Sequence, residues 1–203
     1  MNNKTKYSLY FGNLKDEVIL ILIKTTAKSI SIKSQTIMQN KISDSLLIHV
    51  RQFLSQNSLT KNDLSAIYIN HGPSKFNADR LLTLTTKTLA CFQNIPLYVI
   101  SNLKLHLLYA KANAIIIEDN SNNFYLAHVE KQKLIEVYLP KSELDHYLEQ
   151  KQIKPNKITW MNLEEHKVAV LENLNNFHLV LEPALLKTNY VKDPLRIRKN
   201  ENE

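Results

Sequence analysis

The chain has 203 residues and a mass of 23.5 kDa, which leaves room for one domain or two small ones and is short for a solenoid array. With 44% apolar and 22% charged residues it lies outside the disordered regime, and a chain this long buries roughly 70% of its unfolded surface. The formal charge of +7 is uneven: residues 1–105 carry 13 basic and 5 acidic side chains, and residues 106–203 carry 13 and 14. A basic first half fits a solvated lysine surface better than a surface for RNA or an acidic partner. The one cysteine, Cys91, forbids an internal disulfide and makes the cytosol the expected compartment. The seven histidines form no HxxxH pair and no zinc-finger spacing, so no metal site is expected. The opening MNNKTKYSLYF lacks a signal-peptide core, and no apolar run reaches membrane-spanning length, so no membrane partner is expected.

Residues 7–11 and 17–23 are apolar and β-branched or aromatic, with Gly12-Asn13 and Lys15-Asp16 between them, and predict a hairpin. The alternating run 30–37 adds a third strand. A helix over 43–56 follows, with Ser43 as N-cap, Asp44 in its first turn, and Leu46, Leu47, Val50, Phe53 and Leu54 at three- and four-residue spacing. Thr60 and Asp63 have the spacing of a capping box before a strand over 64–70 that is buried on both faces. The turn His71-Gly72-Pro73-Ser74 leads into a helix over 77–93, then a strand over 96–100 and a helix over 102–111. Strands over 114–118, 124–130 and 133–139 follow, the first two joined by the polar turn Asp119–Asn123. The chain continues with a helix over 142–150, a strand over 157–160, a helix over 162–173 and an apolar stretch over 177–181. Residues 193–203 are charged and expected to fray. The order implies an α/β fold of two similar lobes with mixed sheets, 1–105 and a smaller 106–203.

The helices over 43–56 and 77–93 are apolar on more than one side. Leu46, Val50 and Phe53 form one stripe with Leu47 and Leu54 beside it; Leu81, Leu84 and Thr88 form another, with Leu82, Leu89 and Phe92 turned to the sheet. A helix apolar on two sides is sandwiched in its own core or buries one side against another chain, and the expected partner interface is Leu46, Leu47, Val50, Phe53, Leu54, Leu81, Leu84 and Thr88. Cys91 is expected in the core, and Glu118 and Asp119 on an exposed turn. His71 could be a base, yet no nucleophile accompanies it.

The segment HGPSKFNADR, followed by a helix and by IPLYVISNL, resembles the signature of the bacterial TsaB (YeaZ) family, written GPGSFTGLR with a downstream IPLxxVSSLEALA run. Gly72, Pro73, Phe76 and Arg80 match; Ser74, Lys75, Asn77, Ala78 and Asp79 stand where Gly, Ser, Thr, Gly and Leu belong. The preceding SDSLLIHVRQFLSQNSL, the hairpin over 115–127 with Asp119, and the terminal Asn189-Tyr190-Val191-Lys192 are also similar to family segments. On the residues alone, Gly72-Pro73 is a strand-to-helix turn, Phe76 packs it down and Arg80 holds it by bonding carbonyls or an acid.

The resemblance implies the actin, sugar-kinase and Hsp70-like (ASKHA, ribonuclease H-like) fold. It implies a non-catalytic paralogue of TsaD that pairs with a TsaD-like subunit through first-lobe helices. With a TsaE-like ATPase, that complex attaches a threonylcarbamoyl group to the adenosine beside the tRNA anticodon; self-association through the same patch is the alternative when the protein is alone. Two glycines in the whole chain agree with the absence of ATP chemistry, because backbone amides cradle phosphates where no side chain intrudes. Two rival readings stand beside this one. An ATP-dependent enzyme of the same superfamily would bind Mg-ATP, and an RNA-binding module would bind tRNA alone with steep salt dependence.

Overall fold

The computed structural model describes residues 5–14, 17–38, 46–74, 76–119 and 122–191. The expected N-cap at Ser43, the acid Asp44, and the tail from Asp193 lie outside the described residues, as does the side chain of Phe76.

The first three strands, β1 (Lys6–Leu14), β2 (Glu17–Thr25) and β3 (Ile30–Met38), form an antiparallel meander. Helix α1 (Leu46–Gln56) leads through a 3₁₀ turn to β4 (Leu64–Asn70), which pairs parallel with β1. In that turn the Thr60 side chain and the Asp63 carboxylate cap each other's backbone N–H groups, as their spacing predicts. Helix α2 (Phe76–Gln93) then crosses to β5 (Leu97–Ile100), parallel to β4, and α3 (Asn102–Tyr109) begins at a Ser101 cap.

The second sheet repeats this plan. Strands β6 (Ala114–Glu118), β7 (Asn123–Glu130) and β8 (Lys133–Pro140) form an antiparallel meander, α4 (Lys141–Lys151) follows, and β9 (Asn156–Ile158) pairs parallel with β6. The chain then leaves that sheet. Helix α5 (Leu163–Glu172) and β10 (His178–Leu179) return to the first one, which runs β10-β5-β4-β1-β2-β3. The second sheet therefore spans residues 114–158, while much of the remaining C-terminal part belongs structurally to the first.

Alternation along the strands buries the first sheet on both faces, which is why β1 and β2 read as continuous apolar runs. Leu9, Phe11, Val18, Leu20 and Leu22 meet Leu46, Val50, Phe53 and Leu54 of α1 and Leu82 and Ala90 of α2. Tyr10, Ile19, Ile21 and Ile23 point the other way, to Leu105 of α3 and Ala169 and Val170 of α5. Burying each such side chain contributes about 1.5–3 kcal/mol, so the two helical layers lock the sheet between them.

Candidate functional site

Packing on β1 and β2 decides which stripe of α1 faces out. Leu46, Val50, Phe53 and Leu54 are 2–4% exposed, and therefore belong to this chain's own core, not to a partner surface as the sequence suggested. They lie at i, i+4, i+7 and i+8, one face of the helix, and that face seals the sheet. Leu47 lies on the margin at 53% exposure, and Ile48, which the sequence reading passed over, lies opposite the core at 56%. On α2 the buried side holds Leu82, Thr86 and Ala90; Leu81 and Thr88 are half-buried, and Leu84 is 53% exposed. Two further expectations are corrected: Phe92 faces water at 82% exposure instead of the sheet, and Cys91 is exposed instead of core.

The loop Gly72–Ser74 sits at the carboxyl ends of the parallel strands β1, β4 and β5, the end of an α/β sheet where crevices form. Here the chain fills that place itself. Asp79, in the first turn of α2, is 1% exposed; its carboxylate accepts from Ser74 N–H at 2.6 Å, from Ser74 Oγ at 2.6 Å, and from Asn13 Nδ2. Asn70 Oδ1 accepts from Asn13 N–H at 3.0 Å, and Asn70 Nδ2 donates to Asn102 Oδ1 at 2.9 Å. Asn102 in turn donates to Pro73 O at 3.1 Å, and its backbone N–H to Gly72 O at 2.7 Å. Burial pushes the Asp79 carboxyl up to about 6, the hydrogen bonds from Ser74 and Asn13 opposing it.

A C-terminal segment lies across this loop. Asn189 N–H donates to His71 O at 3.0 Å, and Asn189 Nδ2 donates to Glu136 Oε2 at 2.9 Å, while Ser101 Oγ donates to the other oxygen of Glu136. The segment thus ties β8 of the second sheet to the motif loop of the first. Burial raises the Glu136 carboxyl above its ordinary value. Gly72 has φ +104°, a conformation costly for any residue with a Cβ.

Most of the candidate side chains bond within the fold. His71 Nδ1 donates to Ile100 O at 2.9 Å, and burial lowers its pKa. Arg80 is exposed, and the role expected of it in holding the loop falls to its neighbour Asp79. Glu118 pairs with Lys157 at 3.4 Å, and Tyr138 Oη donates to Asp119 at 2.9 Å. Deeper between α3 and α5, His106 donates from Nδ1 to Asn102 O at 2.8 Å and accepts Met161 N–H on Nε2 at 3.1 Å. His166 Nε2 meets Tyr10 Oη at 2.5 Å, while its Nδ1 finds no partner among the described residues. Burial depresses both imidazoles, to about 4 and about 3. Among the described residues no three metal-ligating side chains converge, and no helix is long and apolar enough to cross a membrane.

No family model matches the chain. Uncharacterized protein MG208 of Mycoplasma genitalium is 19% identical over 192 residues, covering 94% of this chain and 97% of that protein. Its homolog in Mycoplasma pneumoniae is 22% identical over 191 residues, with the same coverage. Two solved structures from Pseudomonas aeruginosa superpose along most of the chain. One, an uncharacterized protein with similarity to peptidase YEAZ, has a TM-score of 0.63 at 14% identity, covering 92% of this chain and 100% of that one. The other, YeaZ, has a TM-score of 0.60 at 15% identity, covering 91% and 99%. The chain thus has the fold of YeaZ, a mixed α/β fold of two sheets.

Proposed function

We propose that this protein is a TsaB-like, non-catalytic subunit. In this reading α1 and α2 bind a TsaD-like catalytic subunit and, with a TsaE-like ATPase, hold it competent to place a threonylcarbamoyl group on the adenosine beside the anticodon of tRNA. The observation that carries the reading is on the first sheet of a YeaZ-type fold. There, two helices that already cover the sheet still turn Leu47, Ile48, Leu84 and Phe92 to water. The self-filled crevice supports the non-catalytic part: Asn13, Asn70, Asp79 and Asn102 bond one another where a ligand would need open donors.

The test is co-purification of the chain with the TsaD-like subunit of the same cell. Leu47→Asp and Leu84→Asp, both at exposed positions, abolish co-purification while circular dichroism stays native. Retained co-purification with both variants removes the assignment of this face.

A further inference from the structure

The second sheet carries a cleft where α4 ends beside the start of β6 and the end of β7. Its volume is about 720 Å³, within the roughly 300–1,000 Å³ of small-molecule sites. Every residue that lines it falls between Ala112 and Asn156, so it shares nothing with α1, α2 or the motif loop. His128 of β7 is part of the lining and is 3% exposed. Tyr147 Oη meets its Nε2 at 3.2 Å; with the phenol as donor, the ring proton sits on Nδ1 and is left for a ligand. Burial lowers the pKa of this imidazole, so it takes part as a neutral group.

Both signs of charge join His128 in the lining. The Glu130 carboxylate and the Lys151 ammonium pair at 3.3 Å with 43% and 38% of their side chains exposed, so the pair opens at little cost. Lys154 adds a second ammonium. At the end of α4 the N–H groups of Gln152 and Ile153 return to Leu148 O and Glu149 O, and the carbonyls of Gln150 and Lys151 accept no backbone N–H among the described residues. A helix C-terminus carries partial negative charge and favours a cation. A simple anion therefore meets Glu130 and this helix end, and a simple cation meets two lysines, whereas a ligand with both charges satisfies both. We propose that the cleft binds a free amino acid as its zwitterion, the ammonium on Glu130 and the end of α4, the carboxylate on Lys151, Lys154 and His128 Nδ1–H. The amides of Asn113, Gln150, Gln152 and Asn156 complete the lining and suit a polar ligand side chain over an apolar one. The site needs no partner subunit, so it is independent of the proposed function.

The experiment is calorimetry and histidine NMR on the full chain, with free L-glutamine as the probe. Glutamine binds with a dissociation constant of about 1 mM or tighter and shifts the His128 ring signals. N-acetylglutamine and glutaminamide, each short of one charge, bind about tenfold or more weakly, and free leucine binds more weakly than glutamine. Glu130→Gln and Lys154→Ala, both at exposed positions, each lose about tenfold or more in affinity for glutamine with an unchanged melting temperature. Absence of binding by both glutamine and free serine at about 10 mM overturns the proposal. So does equal affinity for N-acetylglutamine, which makes the cleft an anion site, and so does unchanged affinity in both variants, which puts the binding elsewhere.

Discussion

The backbone carbonyl of Asn189 lies 2.7 Å from where a Cβ on Gly72 would stand, and the carboxylate of Asp79 lies 2.8 Å from it on another side. Residues 117 positions apart in the chain thus share a space that only a hydrogen atom fits. Gly72 therefore has a structural reason to be glycine that does not depend on nucleotide or metal.

Gly72→Ala should pay twice, in the left-handed backbone and in displacement of the Asn189 strap. We expect a loss of about 1–3 kcal/mol, which for a chain of this size lowers the melting temperature by roughly 2–10 °C. Differential scanning calorimetry measures it, and an unchanged melting temperature refutes the clasp.

The division of α1 into core and surface predicts opposite outcomes for adjacent positions. Phe53→Ala empties a site in the core that α1 shares with β1, β2 and β4 and should cost about 3–5 kcal/mol. Leu47→Ala and Ile48→Ala should stay within about 0.5 kcal/mol of wild type, as surface changes do. Urea denaturation of the three variants decides this, and equal costs would mean that α1 is rotated from the placement described.

Acid and base sensitivities of the core run in opposite directions. Asp79 has a folded pKa of about 6 against an ordinary 3.8, so its ionisation opposes folding. Its contribution is complete below 3.8 and declines as pH rises to 6. The buried His106 and His166 have folded values of about 4 and 3 against 6.5. Their contribution is complete above 6.5 and is lost as pH falls, by about 1.4 kcal/mol per unit for each imidazole inside its window. Between pH 6 and 4 the single carboxyl offsets only about half of the loss from the two imidazoles. Measured by urea denaturation across that range, Asp79→Asn should lose stability more steeply on acidification than wild type, and His166→Gln less steeply. Parallel curves for all three proteins would contradict this.

Tyr10 and His166 join β1 to α5 through one buried contact. Tyr10→Phe leaves both imidazole nitrogens of His166 without a partner and should cost about 1–3 kcal/mol, the penalty of a buried polar group left unmet. Hydrogen exchange should then show the loss concentrated in residues 163–172, which dock on the sheet through this face; a uniform loss would argue against local undocking.

Isothermal titration with Mg-ATP should give no micromolar binding, since the carboxyl ends of β1, β4 and β5 are occupied by the chain's own amides and carboxylate. Micromolar affinity would favour the enzymatic alternative.

Local chemistry alone determined most element positions here. Apolar β-branched and aromatic runs marked β1 and β2, period-two alternation marked β3, helical spacing marked α1 and α2, and the Thr60–Asp63 box marked the start of β4, because each signal lies within a few residues. The GP…R loop and the repeated order of strands were legible for the same reason. What the tertiary structure alone decided depends on distant partners. Leu46, Leu47, Ile48 and Val50 are all apolar, and only contact with Leu20 and Leu22 of the sheet turns Leu46 and Val50 inward and leaves Leu47 and Ile48 in water. Asn13, Asn70, Asp79, Asn102, Glu136 and Asn189 carry no common spacing. They become one hydrogen-bonded clasp because parallel strands bring their ends together and the C-terminal segment returns to cross them.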